Sequence, residues 1–179
     1  KAYRAAAELD REFAEARENA DRVRAQIIER DYRKSISRAL AALDSEKYRA
    51  AALALTDARK LRPSAPEIRD LEQRLRAGQQ LATISALRTQ ALARESAEDW
   101  KGASALYEKI LAIDPSISFA VDGKSRSVKN GELTDRIDTY LGQPDRLQSP
   151  EPLQQARQIL DIADSIADAG PRLREKRDR

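Results

Sequence analysis

Apolar residues recur along this chain at three- and four-residue intervals. That is the spacing of helices that each bury one stripe, not the alternation of strands. Phe13, Ala16, Ala20, Val23, Ile27, Ile36 and Leu40 predict a long helix from Phe13 to about Leu43. Asp44-Ser45 reads as the N-cap of a shorter helix ending at about Lys60, which Pro63 stops. Ser64 and Glu67 have the spacing of a capping box. A second long helix follows from Pro66 to about Ala93, with Ile68, Leu71, Leu75, Leu81, Ile84, Leu87, Ala91 and Leu92 as its stripe. The stretch from Ser96 to Asp99 caps the next short helix, which carries Trp100, Ala103, Tyr107 and Ile110. A third long helix is expected from about Ser118 to Leu141, weakened by Gly123, Asn130 and Gly131. Ser149 then caps a last short helix with Pro150 at its first position, and Gly170-Pro171 turns into one more. At the other end, residues 1–9 read as the tail of a short helix, with Asp10-Arg11-Glu12 as its turn.

These elements repeat. Leu9, Leu61 and Ile113 stand 52 residues apart, and Tyr3, Leu55 and Tyr107 keep the same interval. So do Ala6, Ala58 and Ile110; Tyr48 matches Trp100, Ala51 matches Ala103, and Pro63 matches Pro115. Where the later copies have proline, the first has Arg11. Ala156, Leu160, Ala163 and Ile166 restate the small–large–small order one period later. A fixed period of this kind marks stacked units that bury their apolar faces against their neighbours.

Ala51, Leu55, Ala58 and Pro63, and again Ala103, Tyr107, Ile110 and Pro115, follow the order seen on the second helix of a tetratricopeptide repeat. The chain resembles that family in a lengthened form, without the family's Trp…Leu-Gly signature on the first helix. The family unit is about 34 residues, so each copy carries about 18 more, or about five helical turns. Whole turns inserted into a helix leave later side chains on their original face. The resemblance implies an all-α array of antiparallel helix pairs, a tetratricopeptide-like solenoid with long first helices. It sets one domain over 1–179: a partial repeat over 1–11, repeats over 12–63, 64–115 and 116–168, and the start of a further helix over 169–179.

Charge changes this picture little. Thirty-three Lys and Arg against thirty Asp and Glu give a net charge of +3, with both signs interspersed. The surface is therefore mixed rather than polybasic, which disfavours nucleic acid as a partner. Without Cys or His, the chain has no disulfide, no zinc–thiolate site and no histidine acid or base. No run of about 18 apolar residues is present, so no membrane insertion is expected from this stretch. The absence of Met at Lys1, together with part-repeats at both ends, suggests a piece of a longer protein.

Candidate chemistry is scarce. The Gly-x-Ser-x-Gly elbow, the His-Glu-x-x-His pair, the EF-hand loop and the dinucleotide fingerprint do not occur. Gly123-Lys124-Ser125 looks like the end of a phosphate loop, but Ser118 stands where that loop needs glycine and no strand precedes it. No catalytic, cofactor-binding or metal-ligating residue is therefore expected. The expected function is a non-catalytic scaffold or adaptor for protein–protein interaction that takes a peptide or helix. A structural spacer between domains of a larger envelope or signalling protein is the alternative, and nucleic-acid binding a weaker one. If the resemblance holds, Arg33, Ile36, Leu40, Arg88 and Leu92 line the groove. The overhanging long-helix ends leave Val23, Ile27, Ile28, Leu71, Leu75 and Val128 uncovered, which suggests a homodimer through that edge.

Overall fold

The computed structural model describes residues 2–165 and 170–178, with the side chains of 2–8, 12 and 177 excepted. It is all-helical, with no strand among the described residues. The helices are α1 (Ala2–Asp44), α2 (Tyr48–Leu61), α3 (Pro66–Ser96), α4 (Trp100–Ile113), α5 (Ser118–Gly142), α6 (Pro150–Ser165) and α7 (Pro171–Asp178), with a 3-10 turn over Pro144–Gln148. They form two compact units, residues 1–81 and 82–179, and α3 contributes to both.

The first unit is built where the C-terminal half of α1 and the start of α3 close on α2. Ala39, Ala51, Ala54, Leu55, Leu71 and Leu75 form one buried cluster. Tyr32, Ala58 and Ile68 form a second. Residues early in α2 meet residues late in α1, and the reverse, so the pair is antiparallel. The Tyr32 hydroxyl donates to Glu67 at 3.3 Å and ties α1 to the first turn of α3. Glu67 is thus taken up by Tyr32 rather than closing a capping box with Ser64.

In the second unit α4 lies between the end of α3 and α5. Ala91, Ala103, Tyr107, Ile110 and Ala120 are its core. Leu133, Ile137, Ile159, Ala163 and Leu173 bind α5, α6 and α7 together. Internal periodicity carries through to these surroundings. Ala39 and Ala91, Ala51 and Ala103, Leu55 and Tyr107, Ala58 and Ile110, and Ile68 and Ala120 are matched pairs, buried in their own units.

Three sequence expectations are corrected. The turn at Asp10-Arg11-Glu12 does not exist, because α1 is continuous from Ala2 to Asp44. The first copy has neither Gly nor Pro there to stop a helix. Leu9 is accordingly 67% exposed on a long helix, whereas Leu61 and Ile113 end short ones. The matches at Tyr3 and Ala6 fall outside the described side chains, and Ile166 falls outside the described residues. Asp44-Ser45 is not the cap of α2. The chain instead turns through Glu46, at φ 55°, and α2 begins after Lys47. The N–H groups of Glu46 and Lys47 return to the carbonyls of Leu43 and Ala42 and close the end of α1. The same bonds recur in the second unit, from Glu98 to Glu95 and from Asp99 to Arg94, again with Glu98 at φ 55°. Finally, Leu81 is not on the buried stripe of α3; it is 68% exposed.

Candidate interaction surfaces

Tyr107 is the side chain around which the second unit is ordered. It is buried between α3 and α5, and Gly123 of α5 lies against its ring, so that a Cβ there would occupy the ring's space. Beside it, the Glu95 carboxylate accepts from Arg126 Nη2 at 2.9 Å and from the Ser127 hydroxyl at 3.1 Å. Burial, then the Glu95 charge, pushes the Tyr107 hydroxyl above its ordinary range. The Glu95 hydrogen bond holds the Arg126 guanidinium more firmly protonated than usual. These bonds tie the end of α3 to α5 beside the Tyr107 ring.

Asp99 caps α4 directly, its carboxylate accepting from the Gly102 N–H at 2.9 Å and from Arg94 at 2.7 Å. Those bonds, the Gly102 one first, lower its pKa below the usual value. Glu98, one residue earlier, reaches α7 and accepts from the backbone N–H groups of Arg172 and Leu173 at 2.7 and 2.9 Å.

On the far side of α5 the surface is concave. A cavity of about 550 Å3 is lined by α5 and α6, with Leu133, Ile159 and Ile162 as its apolar floor. Arg126, Lys129 and Arg136 stand over it on α5, with Asp122 and Glu132 among the remaining lining residues. Lys129 and Arg136 have no ion-pair partner among the described residues, while Ile162 is 51% exposed. The result is an open trough with an apolar base and a wall on which Lys129 and Arg136 stand among Asp122 and Glu132. Its residues were not singled out from the sequence, where the stretch around Lys124 to Asn130 reads only as polar. The available signal was the three- and four-residue spacing of Asp122, Arg126, Lys129, Leu133 and Arg136, which puts them on one helix face.

The residues expected to line a groove are distributed over the two units. Arg33 is exposed on α1 and paired with Glu29 at 2.5 Å. Ile36 and Leu40 are half-buried, packed on the α1–α2 core. Arg88 lies over the Phe119 ring at 4.6 Å, and Leu92 is 45% exposed on α3. Of the residues expected to be uncovered, Val23, Ile27, Ile28 and Val128 are exposed, but Leu71 and Leu75 are not, being 6% and 8% exposed under α2. Gly123, Lys124 and Ser125 lie inside α5, with Lys124 paired to Glu108 at 3.0 Å.

Among the described residues no cluster of three or more His, Cys, Asp or Glu is arranged to hold a metal. No helix among the described residues is long and apolar enough to cross a membrane. Neither a known protein family, nor a curated protein, nor a solved structure matches the chain.

Proposed function

We propose that this chain is a non-catalytic protein-interaction module: a lengthened tetratricopeptide-like array that holds a peptide or helix of its partner. The observation that carries the reading is the trough on α5 and α6, where Leu133, Ile159 and Ile162 are overlooked by Lys129 and Arg136. Such a surface favours a segment with apolar residues for the floor and polar or charged groups for the wall. The matched burial of Ala51 and Ala103, Leu55 and Tyr107, and Ala58 and Ile110 supports the repeat reading. Nucleic-acid binding is less favoured. Several arginines on and beside α1 are paired in place, Arg33 of α1 and Arg62 at the end of α2 with Glu29, and Arg30 with Asp31.

Selection of random peptides displayed on phage against the purified chain tests this. Peptides with apolar side chains for the floor should be enriched, and their affinity should fall at least about tenfold in Lys129→Glu/Arg136→Glu and in Ile162→Asp. Arg49→Glu, an exposed change on α2, should leave it unchanged. If no peptide is enriched, or if the α5 and α6 variants bind as well as the parent, the adaptor reading fails and the spacer reading stands.

A further inference from the structure

Every described side chain from Leu9 to Ile28 is exposed, although this stretch lies within one unbroken helix. Its apolar members are regularly placed. Leu9, Phe13, Ala16, Ala20, Val23 and Ile27 follow at intervals of 4, 3, 4, 3 and 4. In sequence the spacing extends back through Ala6 and Ala2. That is a 3.5-residue repeat, the seam of a left-handed coiled coil, with Phe13, Ala20 and Ile27 at a and Leu9, Ala16 and Val23 at d. The next two positions in register are Arg30 and Lys34, so the seam ends there. From Tyr32 onward the buried side chains of α1 turn to α2 instead. Outside the seam the exposed stretch is charged and internally paired, Arg11 with Glu15 at 3.9 Å and Arg24 with Asp21 at 3.6 Å. One half of α1 therefore serves its own unit, and the other half has the pattern of an interface.

We propose that this half of α1 pairs with the same half of a second copy, parallel and in register, as a two-stranded coiled coil. Charge pattern selects both the occupant and the direction. In a parallel pair each g residue faces the e residue five places on in the other chain. This sets Glu12 against Arg17, Asn19 against Arg24, and Gln26 against Asp31, with no like charges opposed. The antiparallel alignment that overlaps the whole seam, Leu9 opposite Ile27, sets Asp10 against Arg24 but puts Arg17 against its own copy at the centre, a clash the parallel pair avoids. Phe13, Leu9, Val23 and Ile27, between 45% and 67% exposed in the single chain, are covered at once by such a pair. The alanine layers between them let the two backbones approach closely. The inference is independent of the trough on α5 and α6.

The chain has no cysteine, so single cysteines report the register without interference. Ala16→Cys and Val23→Cys should each form a disulfide-linked dimer with oxidised glutathione, and Ala25→Cys on the outer face should not. Sedimentation equilibrium should show a dimer whose dissociation constant rises at least about 100-fold in Phe13→Glu/Ile27→Glu, and less than about threefold in Ala25→Glu. A monomer at submillimolar concentration overturns the proposal. Crosslinking of Ala16→Cys only when mixed with Ala20→Cys overturns it too, since that is the antiparallel signature. Equal crosslinking through Ala25→Cys would mean random collision and would overturn it likewise.

Discussion

Tyr107 and Gly123 occupy the places that Leu55 and Leu71 hold 52 residues earlier. Two leucines of middling size have become one large ring and one bare backbone, and both versions fill their core. Gly123→Ala should therefore cost about 1–3 kcal/mol by overpacking. An open helical site would instead gain about 1 kcal/mol from the better helix former, so the sign of the change is diagnostic. Urea unfolding of Gly123→Leu, Tyr107→Leu and the double variant should show a coupling of about 1 kcal/mol or more, with the double variant recovering much of what Gly123→Leu loses. The sequence reads Gly123 as a weak point in a helix. Its partner lies on another element, and no local pattern shows that a ring fills the space. Asp99 supplies a second test at this scale. Its folded pKa lies below its ordinary 3.8, through the Gly102 N–H and then Arg94. The stability it adds is therefore complete above about pH 3.8 and is lost as pH falls through the lower folded value. Asp99→Ala should melt below the parent at pH 6, and the gap should narrow toward pH 2.5. A gap of constant width would show that the carboxylate's charge has no part in the cap.

Helix ends follow from the sequence only where the stop signal is chemical. Pro66, Pro150 and Pro171 each open a helix, and Ser118 follows the Pro115 stop. The ends of α1 and α3 depend on a backbone excursion at Glu46 and Glu98, residues with no marked preference for positive φ. That turn is visible only once the returning bonds to Leu43 and Ala42, and to Glu95 and Arg94, are seen. Asp10-Arg11-Glu12 is the opposite case: the 52-residue interval places a boundary there, but nothing in those three residues can enforce it. Hence α1 is 43 residues long, about 64 Å at 1.5 Å per residue, and its buried side chains begin only at Tyr32. An uncovered helix of about 20 residues is marginal in water by itself. Amide hydrogen exchange should separate the two parts of α1. Residues 32–43 should be protected at any concentration, while residues 9–27 should exchange fast in dilute protein and slow as the coiled coil forms. Uniform protection of all of α1 in dilute protein would contradict this division.

Each of the two compact units has its own buried clusters, and the boundary falls inside α3 at Leu81, an exposed residue between the Leu75 layer and the Ile84 and Leu87 layer. Two units with separate cores need not unfold together, because each has its own free energy besides any term it shares with the other. The chain contains one tryptophan, Trp100, buried at the start of α4 and thus in the second unit. Its fluorescence reports that unit alone, while circular dichroism reports helix in both. Leu55 is 2% exposed at the centre of the first unit, so Leu55→Ala should remove about 2–5 kcal/mol there. Urea titration should then lower and broaden the dichroism transition while the Trp100 transition keeps its midpoint. Ile110→Ala, in the core of the second unit, should do the reverse and shift the fluorescence midpoint first. If both probes move together in both variants, α3 couples the units into one cooperative structure, and the break at Leu81 is one of contacts and not of stability.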